Sequence, residues 1–200
     1  MTGDLIVYTP MYVTFFWSVV LLLSKHENNR ARFLLGIFMF VAFLVYLSHA
    51  LFFQKAIDAY QVFDPIYIFS SLSVYPLYYW YIKLLTVETR LRWINLRMLL
   101  PGALFGLVAF VLYLQMPEGE RSRYIKDFLL SSPLTPDDSI LISLQKWNYI
   151  LSRLVFSFQV IYFLVKGRKL VLKYNRQIAN FYSNLKSRTI VWVKYLLYSF

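Results

Sequence analysis

Long apolar runs separated by shorter polar segments dominate the chain and set its expected architecture. Runs over residues 5–23, 33–53, 65–85, 98–116 and 147–165 have the length of membrane-crossing helices; another opens at Thr189 and stops at Phe200. A helix rises 1.5 Å per residue, so the last run reaches about 18 Å, against a bilayer core of about 30 Å. The pattern predicts an all-α, polytopic integral membrane helix bundle. It has five complete spans plus a truncated sixth, 189–200, and forms one transmembrane module over residues 1–200 of a longer protein.

Local signals refine the runs. Pro10 lies in the first turns of its span, where proline disrupts least. Pro76 predicts a kink midway along the third span. Tyr78, Tyr79, Trp80 and Tyr81 near the inner end of that span fit an interfacial aromatic belt. The segment QKAIDAYQVFD (54–64) reads as the loop before the third span, and TVETRLRWINLR (86–97) as the loop before the fourth. The longest polar segment is Pro117–Lys146. Within it, SSPLTPDDS reads as a turn followed by a helix N-cap, and ILISLQKW as a short amphipathic helix on the outer surface.

Composition agrees with a membrane environment. The chain is 59% hydrophobic, 20% aromatic and only 16% charged, with a mean hydropathy of +0.52. A soluble domain of 200 residues is usually less apolar and more charged. The net charge of +11 would raise nucleic acid as a partner of a soluble protein. Here the charges cluster at the ends of apolar runs, which points instead to membrane sidedness. The stretch KGRKLVLKYNRQIANFYSNLKSR (166–188) is the strongest case: it carries Lys166, Arg168, Lys169, Lys173, Arg176, Lys186 and Arg188 and no acid. It is expected to be a cytoplasmic loop that anchors the module and touches anionic lipid headgroups. The first, third and fifth loops, with Lys83, hold fourteen Lys/Arg and two acids; the N-terminus and the other two loops hold five and eight. This bias places the N-terminus outside and the basic loops inside a bacterial inner membrane. A missing seventh span would then return the chain to the cytoplasm.

Candidate chemistry is sparse. There is no cysteine, hence no disulfide and no thiolate metal site. His26 and His49 lie in different settings and do not form a ligand pair, and no cofactor or metal site is expected. The N-terminus lacks the basic region of a secretory signal peptide. Metalloprotease, P-loop, dinucleotide and nucleophile-elbow motifs are absent, so no enzyme is expected. None of the ten acids falls within an apolar span core, which weighs against a proton-coupled carrier. The polar residues inside the spans do share a depth. His49, Ser70, Ser71, Ser73 and Arg153 all fall in the outer halves of their spans. They predict an outward-facing pocket for a small anionic or hydrogen-bonding ligand, with Arg153 as its main charge. The competing expectation has Arg153 snorkelling or pairing with Asp58, Asp64 or Asp138, and the serines packing helices.

Three segments resemble a known family. YPLYYWYIKLLT (75–86), LRMLLPGALF (96–105) and FYSNLKSRTIVWVKYLL (181–197) are similar to the end of the third span, the start of the fourth and the approach to the sixth in the membrane-spanning sensor region of Bacteroidetes-type AraC-family regulators. Tyr182, Ser183, Asn184, Leu185 and Trp192 carry the most specific part. Met98 stands where the family often has His. The resemblance implies a seven-span sensory module, followed beyond residue 200 by a cytoplasmic helix-turn-helix domain. That domain would contact DNA, which this chain itself would not. Some relatives carry a histidine-kinase region instead. The expected partners are the lipid bilayer, a small-molecule or membrane signal and a second copy of the chain. A small facilitator or transporter subunit and a scaffolding membrane protein are the remaining alternatives.

Overall fold

The computed structural model describes residues 2–24, 30–87, 92–130 and 139–181, with side chains between residues 8 and 178. These residues form an all-helical assembly: α1 (Thr2–Leu23), α2 (Arg30–Phe53), α3 (Ile57–Thr86), a 3-10 segment (Trp93–Leu99) running directly into α4 (Leu100–Gln115), α5 (Glu118–Arg123) continued by a π-helical turn (Tyr124–Leu129), and α6 (Ile140–Phe181). Three stretches are long and apolar enough to cross a membrane: Arg30–Phe53, Trp93–Gln115 and Ile140–Ile178. The apolar part of α1, Tyr8–Leu23, is shorter. The 30-residue α3 interleaves its apolar residues with tyrosines, serines, prolines and acids. The sixth run, 189–200, lies outside the described residues, as do residues 182–188 of the basic stretch.

The centre of the fold is α3. It packs against α2, α4 and α6, and α1 packs on α2. Trp80 and Tyr81 meet Leu34 and Val41 of α2; Ile68 and Leu72 meet Ala109 of α4; Tyr78 and Ile82 meet Val171 of α6. Tyr78, Trp80 and Tyr81 are therefore buried between helices, not spread along a lipid interface as the local pattern suggested, because α3 has neighbours on every side. Two glycines let α4 approach closely. A Cβ on Gly102 would lie 2.8 Å from the Phe69 carbonyl oxygen, and one on Gly106 would lie 3.1 Å from that of Pro65. This small-xxx-small spacing is a common way of packing helices in membranes. The outward faces are apolar: Leu100, Leu104, Leu107, Phe110 and Leu114 of α4, and Leu151, Leu154, Phe158, Ile161 and Val165 of α6, are exposed. A soluble helix would present polar residues there.

Several element boundaries differ from expectation. The connection between α2 and α3 is a tight turn over Gln54–Ala56, not a loop to Asp64. Its hydrogen bonds, Ala56 N to Leu51 O at 3.1 Å and Lys55 N to Phe52 O at 3.0 Å, form a Schellman motif with Lys55 at φ 56°. Helix α3 therefore starts at Ile57 and runs through both Pro65 and Pro76. Asp58 is exposed on its first turn, and Asp64 is buried two turns in. Asp64, expected at the end of a loop, is therefore a buried helical residue. The polar segment after α4 folds back as α5 and the π-helical turn. These seat Tyr124 and Ile125 against Tyr60, Tyr113 and Ile142.

The expected separate helix ILISLQKW is the first part of α6. Ser139 begins it, its Oγ accepting from Ile142 N at 3.3 Å and donating to Glu120 Oε2 at 2.9 Å. The basic stretch is also helical as far as Phe181. A cytoplasmic loop was expected, but the only glycine, Gly167, sits against Ile82 and no proline intervenes. Val171 is buried against α3. Lys166, Arg168, Lys169, Lys173 and Arg176 lie exposed on this helical extension.

Candidate ligand-binding site

The polar residues of the bundle gather on facing stripes of α3 and α6. Tyr60, Asp64, Tyr67 and Ser71 follow one another at helical spacing on α3, as do Gln145, Tyr149 and Arg153 on α6; residues three or four apart share a helix face. The two helices run parallel, since Gln145 meets Asp64 and Val171 meets Ile82 further along. Helix α2 runs the other way and brings in His49.

Arg153 is at the middle of this arrangement. Its Nη2 donates to the hydroxyls of Tyr67 at 2.8 Å and Tyr149 at 3.1 Å. Its guanidinium carbon lies 4.8 Å from the centres of both rings. The two tyrosines thus hold the cation by hydrogen bonds and by their π faces. Tyr67 Oη also lies 3.1 Å from His49 Nε2. A chain of polar contacts thus runs from Arg153 through Tyr67 to His49, the tautomer of His49 setting which of the last pair donates. Among the described residues no carboxylate lies within ion-pair distance of Arg153, so the expected pairing with Asp58 or Asp64 is not made; Asp138 lies outside the described residues. A guanidinium has five N–H donors in a fixed fork, and the donors on Nε and Nη1 meet no described protein acceptor.

Arg153 also lines a cavity of about 330 Å³ between α2, α3 and α6. His49, Tyr67, Ser71 and Arg153 line it with polar groups, Tyr46 and Tyr75 with phenol rings, and Ala42, Val45, Val74 and Phe156 complete it. Three of the five expected pocket residues, His49, Ser71 and Arg153, therefore share one cavity. Ser70 and Ser73 do not line it. Ser73 Oγ donates to the Phe69 carbonyl at 2.7 Å, on the side facing Gly102. Ser70 Oγ is buried without a hydrogen-bond partner among the described residues.

Asp64 forms a second polar centre one turn from Tyr67. It is fully buried. Tyr60 Oη donates to its Oδ1 at 3.1 Å, Tyr113 Oη to its Oδ2 at 3.0 Å, and Gln145 Nε2 lies 3.5 Å from Oδ2. Hydrogen bonds to a charged acceptor are the strong ones, and these join α3, α4 and α6. Sequence reasoning passed over Asp64 because it precedes Pro65 and looked like the end of a loop. Among the described residues no group of three or more His, Cys, Asp and Glu could hold a metal ion.

The arrangement can bind an anion at Arg153 and accept or donate hydrogen bonds at Tyr67, Ser71 and His49. Comparison with family models, characterised proteins and solved structures finds no match to this chain.

Proposed function

We propose that this chain is a membrane-embedded sensory module whose binding site is the cavity at Arg153. It lies in a bacterial inner membrane with the N-terminus outside. Helices α1, α2, α3, α4 and α6 would be its five complete spans, with the apolar run at 189–200 as the expected start of a sixth. The observation that carries this reading is Arg153 itself: a half-buried cation, fixed by two tyrosines, lining a cavity and without a carboxylate partner among the described residues. An ionisable residue within a membrane bundle is costly and usually functional. The apolar outward faces of α4 and α6 support the bilayer setting. The loop-by-loop charge bias supports the orientation.

The output we propose is an AraC-type helix-turn-helix domain beyond residue 200, on the resemblance of the segments at 75–86, 96–105 and 181–197. Ligand binding would favour one packing of the bundle over another, which requires differential affinity for the two packings. The basic extension of α6, carrying Lys166, Arg168, Lys169, Lys173 and Arg176, is the direct continuation of Arg153's own helix towards that domain. The test is the reading frame past residue 200 together with a transcriptional reporter. A seventh span followed by a helix-turn-helix, with ligand response lost in Arg153→Gln, supports the regulator. A kinase core there replaces the output and keeps the sensor.

A second reading, a small facilitator or transporter subunit, draws support from Asp64, a buried carboxylate of the kind carriers use. Uptake of an organic anion into vesicles holding the purified protein would favour it, and its absence alongside reporter activity would exclude it.

A further inference from the structure

The cavity is graded from a polar end to an apolar end, and all three helices agree on the direction. Because α2 and α3 are joined by the tight turn at Gln54–Ala56, the end of α2 and the start of α3 lie together. His49 on α2 and Tyr67 on α3 are near that end. Seven residues deeper on each helix, about 10 Å along the axis, are Ala42 and Val74. On α6, which runs parallel to α3, Arg153 is at the polar level and Phe156 lies one turn deeper. Val45 completes the apolar end. The charged fork therefore stands at one end of a short, mainly apolar slot, to which Ser71, Tyr46 and Tyr75 also contribute.

We infer that this site takes an amphipathic anion: a single negatively charged oxygen head, such as a carboxylate, at Arg153 and a short acyl or alkyl tail between α2, α3 and α6. The inference rests on the sensory reading of the cavity and narrows it from small anions in general to head-and-tail ligands. One guanidinium matches one negative charge, and its planar fork fits the two oxygens of a carboxylate. Tyr67 is held from both sides, so the head would meet a pre-positioned cation. Ala42, Val45, Val74 and Phe156 offer the tail apolar contact, and Tyr46 and Tyr75 add their rings to the same lining. A volume of about 330 Å³ lies at the small end of ligand pockets, so the slot fills after a modest tail length.

The test uses the chain purified in phosphatidylcholine nanodiscs and titrated calorimetrically with acetate, butyrate, hexanoate, octanoate, octanol and inorganic phosphate. Affinity should rise about fourfold per added methylene from acetate upward, then level off when the slot is full. Octanol should bind at least tenfold more weakly than octanoate. Arg153→Gln should weaken octanoate by tenfold or more and leave octanol unchanged. Val74→Phe, which shortens the apolar end and keeps Arg153, should bring the levelling-off to a shorter chain. This variant and the head-group series on the unaltered chain carry the test even if Arg153→Gln does not fold.

Octanol binding as tightly as octanoate would overturn the inference. So would acetate or phosphate binding as tightly as octanoate; in that case an Arg153-dependent anion site would survive and only the tail would be wrong. Failure of every anion to bind would overturn both the inference and the sensory site beneath it. Repeating the octanoate titration with phosphatidylglycerol in the discs identifies the source: unchanged affinity supports a free amphiphile, and competition supports a leaflet lipid with the same head-and-tail chemistry.

Discussion

Tyr67 holds Arg153 in two ways at once: its hydroxyl accepts from Nη2 at 2.8 Å, and its ring centre lies 4.8 Å from the guanidinium carbon. Tyr67→Phe keeps the ring and removes the hydroxyl, and with it the contact to His49 Nε2. A hydrogen bond to a charged group contributes about 1.5–3 kcal/mol, and the variant is expected to lose about 1.5 kcal/mol in reversible unfolding from mixed micelles. In an Arg153→Gln background the same change should cost clearly less, giving a coupling energy of at least about 0.5 kcal/mol. Strict additivity would show that the contact is incidental.

Asp64 should behave as a structural hub. Asp64→Ala leaves the hydroxyls of Tyr60 and Tyr113 without their acceptor in a buried site, at about 1–3 kcal/mol for each unsatisfied group. A total loss of about 2–4 kcal/mol is expected by denaturant titration. Adding Tyr113→Phe to Asp64→Ala removes one of the orphaned hydroxyls and should recover part of that loss. If the double variant is as unstable as the sum of the two singles, the triad is not the unit described.

The close approach of α4 to α3 gives a paired expectation. Gly102→Ala would place a methyl 2.8 Å from a backbone oxygen, and overpacking of this kind costs about 1–3 kcal/mol. Gly119 in α5 faces open space, so Gly119→Ala should be neutral or stabilising by up to about 1 kcal/mol. Melting curves of the two variants should therefore shift in opposite directions, or only the first should shift.

Much of this was legible in the sequence and some was not, for identifiable reasons. His49, Ser71 and Arg153 stood out as rare polar residues within apolar runs, and the cavity brings them together. Their partners did not stand out. Tyr60, Tyr67, Tyr113 and Tyr149 are four of seventeen tyrosines, and nothing local marks a tyrosine that clamps a cation. Asp64 was hidden by Pro65, which usually marks a boundary, and by a helix stop at Lys55 without the customary glycine. The stripe Tyr60–Asp64–Tyr67–Ser71 has helical spacing and could have revealed α3's true start. The continuity of α6 was obscured by its charge: Lys166–Arg176 looked like a loop because it is basic, while Val171 and Gly167 already gave it a packing face.

Helix α3 also decides the number of spans. In the five-span arrangement it crosses the membrane, so the turn at Lys55 and the segment near Arg92 lie on opposite sides. Alkaline phosphatase fused after Lys55 should be active, and fused after Arg92 inactive. Matching activities at the two positions would mean that α3 does not cross and that only the three long apolar helices do.

The cavity at Arg153 can be probed most directly by thiol chemistry, because the chain has no native cysteine. Single variants Ser70→Cys, Ser71→Cys and Ser73→Cys would be exposed, in sealed vesicles, to anionic and cationic membrane-impermeant thiosulfonates. The account expects labelling at Ser71→Cys from the outer face only, with little at the other two. The anionic reagent should be favoured, and adding Arg153→Gln should abolish that preference. Equal labelling of all three positions, or an anionic preference that persists without Arg153, would contradict it.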